Sequence, residues 1–184
     1  MKVLALSGSL RAASINSAFC RAAARLAPAP MTITLFSGLG TLPLFNPDLE
    51  AAPPSAVLAL RSAIAGSSAL LVASPEYAHG ISGVMKNALD WLVSFEGFVD
   101  KPIALINTSP RATHAYEALR EVLQTMSAAI VPEASVTIPL LGAGLTEDDM
   151  VNSQAIAPKI RAALAALAQR LDAERSSSPT FPLR

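Results

Sequence analysis

The chain has 184 residues, 52% of them hydrophobic and 15% charged, with 14 basic and 14 acidic side chains and no formal net charge. The length suits one domain, and the apolar content excludes disorder over the whole chain. The balanced charge gives no electrostatic case for a nucleic acid, an anionic membrane surface or a strongly charged partner. Cys20 is the only cysteine, so an intramolecular disulfide is impossible and a cysteine-based zinc site is disfavoured. That usage fits a reducing compartment. Val3–Leu6 is too short an apolar run for a signal peptide. No stretch reaches the roughly 18 apolar residues of a membrane span, and a cytoplasmic location is expected.

Val3–Leu6 ends at Ser7-Gly8 and reads as a strand buried on both faces. Ala18, Phe19, Ala22, Ala23 and Leu26 follow at helical spacing over 14–26, and Pro28 and Pro30 end that helix. Thr32–Phe36 alternates and is β-branched, which predicts a second strand. Residues 37–54 are rich in Gly and Pro and read as loop. Ser55 is placed to cap a helix over 56–65. Ala69–Ala73 is a third buried strand, 82–94 a helix, and Ile103–Ile106 a fourth strand. Tyr116, Leu119, Leu123 and Met126 mark the next helix. Ser135–Ile138 is the expected fifth strand, and Ile156, Ile160, Leu164, Leu167 and Leu171 stripe the last helix.

Regular alternation of strand and helix predicts an α/β fold, a doubly wound five-stranded parallel sheet with right-handed crossovers and strand order 2-1-3-4-5. Residues 1–173 form the expected domain, and 174–184 a frayed tail with Ser and Pro. Ligands of such sheets bind beyond the carboxyl ends of the strands, where the winding reverses. The order places that reversal between strands 1 and 3, and so nominates the loops after Leu6 and after Ala73.

The first loop runs Ser7-Gly8-Ser9-Leu10-Arg11-Ala12-Ala13-Ser14-Ile15-Asn16-Ser17 into a helix N-terminus. Free amides and the helix dipole favour an anion there. Ser9, Ser14, Asn16 and Ser17 add side-chain donors, and Arg11 adds a planar cationic fork. Neither G-x-G-x-x-G nor G-x-x-x-x-G-K-[ST] is present, so a monophosphate is favoured over a pyrophosphate. The plainer reading has Ser14 as a helix cap and Arg11 as a solvated charge, and the loop alone does not separate the two.

The second loop is Ser74-Pro75-Glu76-Tyr77-Ala78-His79-Gly80-Ile81-Ser82-Gly83. Pro75 fixes the chain, and Gly80 and Gly83 permit close approach. Such a loop can offer main-chain donors to a flat heterocycle while Tyr77 or Pro75 covers an edge. Tyr77 also fits a packed tyrosine, and His79 a surface histidine. Lys86 and Asp90 are spaced to pair along the next helix, and Trp91 reads as core or subunit contact.

Together these loops resemble the NADPH-dependent FMN reductase family, a flavodoxin-like group that includes chromate- and quinone-reducing enzymes. The resemblance rests on Gly8-Ser9-Leu10-Arg11 with Ser14 and Asn16, and on Ser74-Pro75-Glu76-Tyr77 with His79-Gly80, Gly83, Lys86-Asn87 and Asp90-Trp91. It runs from residue 1 to about residue 170. It implies a three-layer flavodoxin-like fold and FMN as cofactor. It further implies that Ser9, Arg11, Ser14, Asn16 and Ser17 surround the FMN phosphate, and that Pro75, Glu76, Tyr77 and Gly80 frame the isoalloxazine, largely through backbone groups. Two departures stand out. Position 78 is Ala where many relatives carry Asn, and the loop after strand 4, Asn107–Ala112, lacks their glycine-rich turn. Thr108 and Ser109 are that loop's candidates for the flavin. Relatives of this type form homodimers or homotetramers, and the same is expected here.

The implied reaction is hydride transfer from NADPH or NADH to FMN, then to a small acceptor, by a ping-pong scheme. The chemistry resides in the cofactor, so no metal and no side-chain nucleophile is expected. Arg111 and His114 could meet a 2′-phosphate, or simply be solvated. The rival readings are an FMN-binding electron carrier without NAD(P)H oxidation, and a flavin-free phosphate binder on the same fold.

Overall fold

The computed structural model describes residues 1–140 and 144–177. In chain order the elements are β1 (Lys2–Ser7), α1 (Ile15–Leu26), β2 (Thr32–Leu35), α2 (Ser55–Ala65), β3 (Ala69–Ala73), a hairpin of β4 (Glu76–Tyr77) and β5 (Gly80–Ile81), α3 (Gly83–Asp90), β6 (Pro102–Ile106), α4 (Thr113–Thr125), β7 (Ala129–Ile130), α5 (Glu147–Asn152) and α6 (Ala157–Ser177). Among the described residues, five strands form one parallel sheet in the order β2-β1-β3-β6-β7. Setting the small hairpin aside, this is the expected 2-1-3-4-5 winding.

Burial on both faces explains why the central strands read as unbroken apolar runs. Val3, Ala5 and Leu71 pack with α1 and α6, whereas Leu4, Leu6, Leu70 and Val72 pack with α2, α3 and α4. Successive side chains of a strand point to opposite faces, so each run feeds two cores. Full burial of one such leucine or isoleucine is worth roughly 1.5–3 kcal/mol. Ala18, Ala22 and Ala23 of α1 are buried and small, which lets that helix lie close on the sheet.

The fifth strand departs from expectation. Regular pairing falls at Ala129–Ile130 against Pro102–Ile103, not at Ser135–Ile138. Pro132 has no N–H to give a ladder, and a 3-10 turn over Pro132–Ala134 interrupts the edge. Beyond the turn the expected stretch does rejoin the sheet beside β6: Thr137 bridges Asn107 in parallel, the Asn107 amide donates to the Val136 carbonyl at 3.0 Å and the Ile138 amide to the Asn107 carbonyl at 2.8 Å. There the Leu105 amide donates to the Ser135 hydroxyl at 3.0 Å in place of a carbonyl.

Other differences are smaller. Helix α2 starts at Ser55 itself with Pro54 as its N-terminal flank, so Ser55 is not the cap. Helix α3 ends at Asp90, short of the predicted 94, and α4 begins at Thr113, ahead of Tyr116. The hairpin and α5 were not expected. Helix α6 continues through Ser177, past the expected start of the tail at Glu174, and residues 178–184 lie outside the described residues. Among the described residues no helix is long and apolar enough to cross a membrane.

Candidate functional site

The loops after β1 and β3 leave neighbouring strands at their carboxyl ends, where Ser7 pairs with Ala73. They cross in contact. The Gly8 amide donates to the Ala73 carbonyl at 2.9 Å. Ser82 caps α3 by accepting from the Met85 amide, and its hydroxyl donates to the Gly8 carbonyl at 2.7 Å. A Cβ at position 8 would lie 2.3 Å from the Ser74 Oγ and 2.8 Å from the Ser82 Oγ. Gly8 is therefore the close-approach point that lets the two loops meet.

Over this crossing opens a cleft of about 680 Å³, lined by Ser9, Arg11, Ser14, Asn16, Pro75, Tyr77, Thr108 and Ser109. Among the described residues the Ser14 amide closes a turn over Ala12–Ala13, while the amides of Ala12, Ala13, Ile15 and Asn16 carry no hydrogen bond. They are the orphan donors expected where a loop enters a helix. Asn16 is 3% exposed. Its carbonyl oxygen accepts from the Thr108 hydroxyl at 2.9 Å, and its side-chain N–H₂, at the cleft wall, has no partner among the described residues. Arg11 is exposed and makes no ion pair within the described residues. Ser14 caps α1, its hydroxyl accepting from the Ser17 amide at 3.2 Å, and the residue also lines the cleft. Ser17 does not line it, since its hydroxyl pairs with the Ser7 hydroxyl at 2.8 Å.

The β4–β5 hairpin forms a second wall. Its two turn residues, Ala78 and His79, have φ of 48° and 59°. Tyr77 is 59% exposed and lines the cleft rather than the core. The Glu76 carboxylate turns toward α4 and accepts from the Ala115 amide at 2.9 Å. Glu76 also lines a smaller cavity of about 250 Å³ that shares Ile15, Asn16, Pro75, Thr108 and Ser109 with the main cleft. Gly80 lines neither cavity. His79 stacks on His114, with ring centroids 4.5 Å apart and planes at 24°.

The loop after β6 builds by side chains the turn that glycines would allow. Asn107 Oδ1 accepts from the Ser109 amide at 3.0 Å, its Nδ2 donates to the Ala112 carbonyl at 3.3 Å, and the Ser109 hydroxyl accepts from the Arg111 amide at 3.2 Å. These are local turns of the Asx and Ser/Thr kind. They place Thr108 beside Asn16.

Helix α3 braces the site from below. Lys86 and Asp90 pair at 2.6 Å, as their spacing predicts. Asn87 Nδ2 and the Trp91 indole both donate to the Pro43 carbonyl, at 2.9 and 2.8 Å. Trp91 is fully buried, so it belongs to the core and not to the cleft.

Sequence reasoning missed the far wall. Arg21 and Arg25 of α1 face Glu147 and Asp148 of α5, with Arg21 3.1 Å and Arg25 3.3 Å from Glu147. These charges are largely exposed and worth little each, but they tie α5 to α1 along the cleft. The Thr146-x-x-Asp149 spacing is the legible signal for α5, because it forms a capping box. Hydrogen bonds from the Thr146 hydroxyl and amide hold the Asp149 carboxyl below its ordinary range.

A doubly wound sheet with an anion-ready loop at its switch point defines a flavodoxin-like α/β protein. The model of the NADPH-dependent FMN reductase family matches residues 1–141. An NAD(P)H-dependent FMN reductase of Pseudomonas aeruginosa is 39% identical over 129 residues, 68% of this chain and 69% of that protein. A quinone reductase of Pseudomonas putida is 35% identical over 147 residues, 77% of this chain and 78% of that protein. The solved structure of FerB, a flavoenzyme NAD(P)H:(acceptor) oxidoreductase from Paracoccus denitrificans, matches with a TM-score of 0.76 and 28% identity, covering 94% of this chain and 97% of that one. The chain belongs to the NADPH-dependent FMN reductase family and is an oxidoreductase of that type.

Proposed function

We propose that the chain binds FMN in this cleft and uses it to pass a hydride from NADPH or NADH to a small acceptor such as a flavin, a quinone or chromate, with reductant and acceptor taking turns at one site. The observation that carries the reading is the loop entering α1, where the amides of Ala12, Ala13, Ile15 and Asn16, the Asn16 side-chain N–H₂ and the Arg11 guanidinium all lack a partner among the described residues. That donor set suits a phosphate monoester at a helix N-terminus.

In this reading Ser9, Arg11, Ser14 and Asn16 hold the phosphate, and Ser17 braces their loop against β1 through Ser7. Pro75, Tyr77 and the backbone of Glu76 frame the ring system on one side, Thr108 and Ser109 on the other, and Gly80 closes the hairpin. Bound FMN supplies hydride acceptance and donation. The protein's own task is then binding, orientation and exclusion of water, which needs no nucleophile and no carboxylate pair. The reading takes residues 1–173 as the working domain, a cytoplasmic setting, and a homodimer or homotetramer for which the exposed Leu44, Leu58 and Val93 offer apolar surface.

The test is steady-state kinetics of the FMN-loaded protein with varied NADPH and a benzoquinone. Parallel double-reciprocal lines are expected of a shared site. Intersecting lines would remove the shared site, and no NAD(P)H consumption would leave an FMN-binding electron carrier.

A further inference from the structure

Helix α4 lacks a cap of its own. Its N-terminal flank is Ala112, whose side chain can accept nothing. Thr113, His114 and Ala115 are its first three residues, and a capping side chain ordinarily accepts from the second or third of these amides. Here the acceptor comes from elsewhere in the chain. Glu76 Oε2, on β4, takes the Ala115 amide at 2.9 Å. A carboxylate is well suited there, because it also meets the positive end of the helix dipole.

The same hairpin carries backbone strain. A two-residue turn with positive φ at both central positions prefers Asn-Gly, since most side chains resist the left-handed region. This turn has Ala78 and His79, at φ 48° and 59°. Residues held in such conformations persist when their surroundings over-determine them. Two side-chain contacts to α4 bracket it among the described residues: Glu76 at the base of the hairpin and the His79–His114 ring stack at its tip.

We propose that Glu76 is a positioning residue, whose side chain supplies the missing cap of α4 and thereby clamps the strained Tyr77–Gly80 turn in the shape that meets the cofactor ring. It acts through the turn and not by its own contact with the reacting atoms. The link to the ring rests on the FMN reading above, whereas the clamp itself belongs to the protein alone.

Four full-length chains test it: wild type, Glu76→Ala, Glu76→Gln, and Glu76→Ala combined with Ala78→Gly. Amide hydrogen exchange is measured without flavin, and FMN affinity by fluorescence titration. Glu76→Ala should speed exchange at Ala115 roughly fivefold, the scale of one lost cap, and weaken FMN binding about tenfold. Glu76→Gln should restore both, because its amide oxygen accepts the same N–H. The double variant should regain FMN affinity, since glycine adopts the turn without strain, while exchange at Ala115 stays fast. Wild-type exchange and affinity in Glu76→Ala would overturn the clamp, as would a Gln variant no better than Ala. A wild type that binds no FMN would sink the flavin reading, and the exchange data alone would then decide the clamp.

Discussion

The Thr108 hydroxyl donates to the side-chain carbonyl of Asn16 at 2.9 Å, across 92 positions of sequence and within the buried wall of the cleft. That bond engages the oxygen end of the Asn16 amide. With the oxygen occupied, the N–H₂ group remains for an anion. Thr108→Val removes the donor and frees the amide to turn its oxygen toward the phosphate. FMN affinity should fall by about 0.5–1.5 kcal/mol, the net worth of a neutral hydrogen bond, in a fluorescence titration. Unchanged affinity would mean that Asn16 does not depend on Thr108.

Arg11, the cation of the loop after β1, is exposed without an ion pair among the described residues, which suits the proposed phosphate site. Arg11→Ala should weaken FMN retention by about 1.5–3 kcal/mol, the range of hydrogen bonds to charged groups. Arg11→Lys should recover part of that loss, since it keeps the charge and loses the planar fork. Equal affinity in all three chains would take Arg11 out of the site.

Gly8→Ala should damage stability and binding together. The added Cβ would fall 2.3 Å from the Ser74 Oγ and 2.9 Å from the Ser74 Cβ, so one loop must move. Overpacking of this kind costs roughly 1–3 kcal/mol. Denaturant unfolding reads the first effect and flavin titration the second. A variant with wild-type values in both would show that the loops meet with slack.

Ala78→Gly should stabilise the chain. A left-handed alanine costs roughly 1–2 kcal/mol, and the looser unfolded state of glycine takes back roughly 0.4–1 kcal/mol. A net gain of about 0.5–1 kcal/mol in denaturant unfolding is expected. Loss of stability would mean that Ala78 makes a contact worth more than its strain.

Cys20 is fully buried on α1, and burial pushes its thiol up to about 12 from an ordinary value of 9.0. Such a thiol is inert in the fold. The raised value also sets a sign: the unfolded chain releases this proton first. The associated stability is complete below about pH 9 and is lost as pH rises through about 12. Thiol labelling of the native chain at neutral pH should therefore track unfolding. Cys20→Ala should flatten the alkaline fall in stability. Fast labelling of the folded chain would contradict this burial.

The fold was legible where physics is local. The central strands show as apolar runs because both faces are buried, and their alternation with helices placed the switch point between the first and third strands. Ser9, Arg11, Ser14 and Asn16 are nominated by their place at a helix N-terminus, and the structure brings all four to one cleft. What stayed hidden depends on distant partners or on broken local rules. Nothing near Glu76 announces Ala115, 39 positions away. The Ala78-His79 turn lacks the residues that mark such turns, and Pro132 splits an edge strand whose second half looked like the whole. Ser17 has the right chemistry for a phosphate and spends it on Ser7.

The most direct measurement is the visible spectrum of the purified chain, mixed with FMN, freed of excess by gel filtration, and then treated anaerobically with NADPH or NADH. The loop from Gly8 to Asn16 predicts that flavin absorbance elutes with the protein in stoichiometric amount and that the reduced nicotinamide bleaches it. Flavin that elutes free of the protein would contradict the cleft as an FMN site, and bound flavin that stays coloured would contradict the reductase.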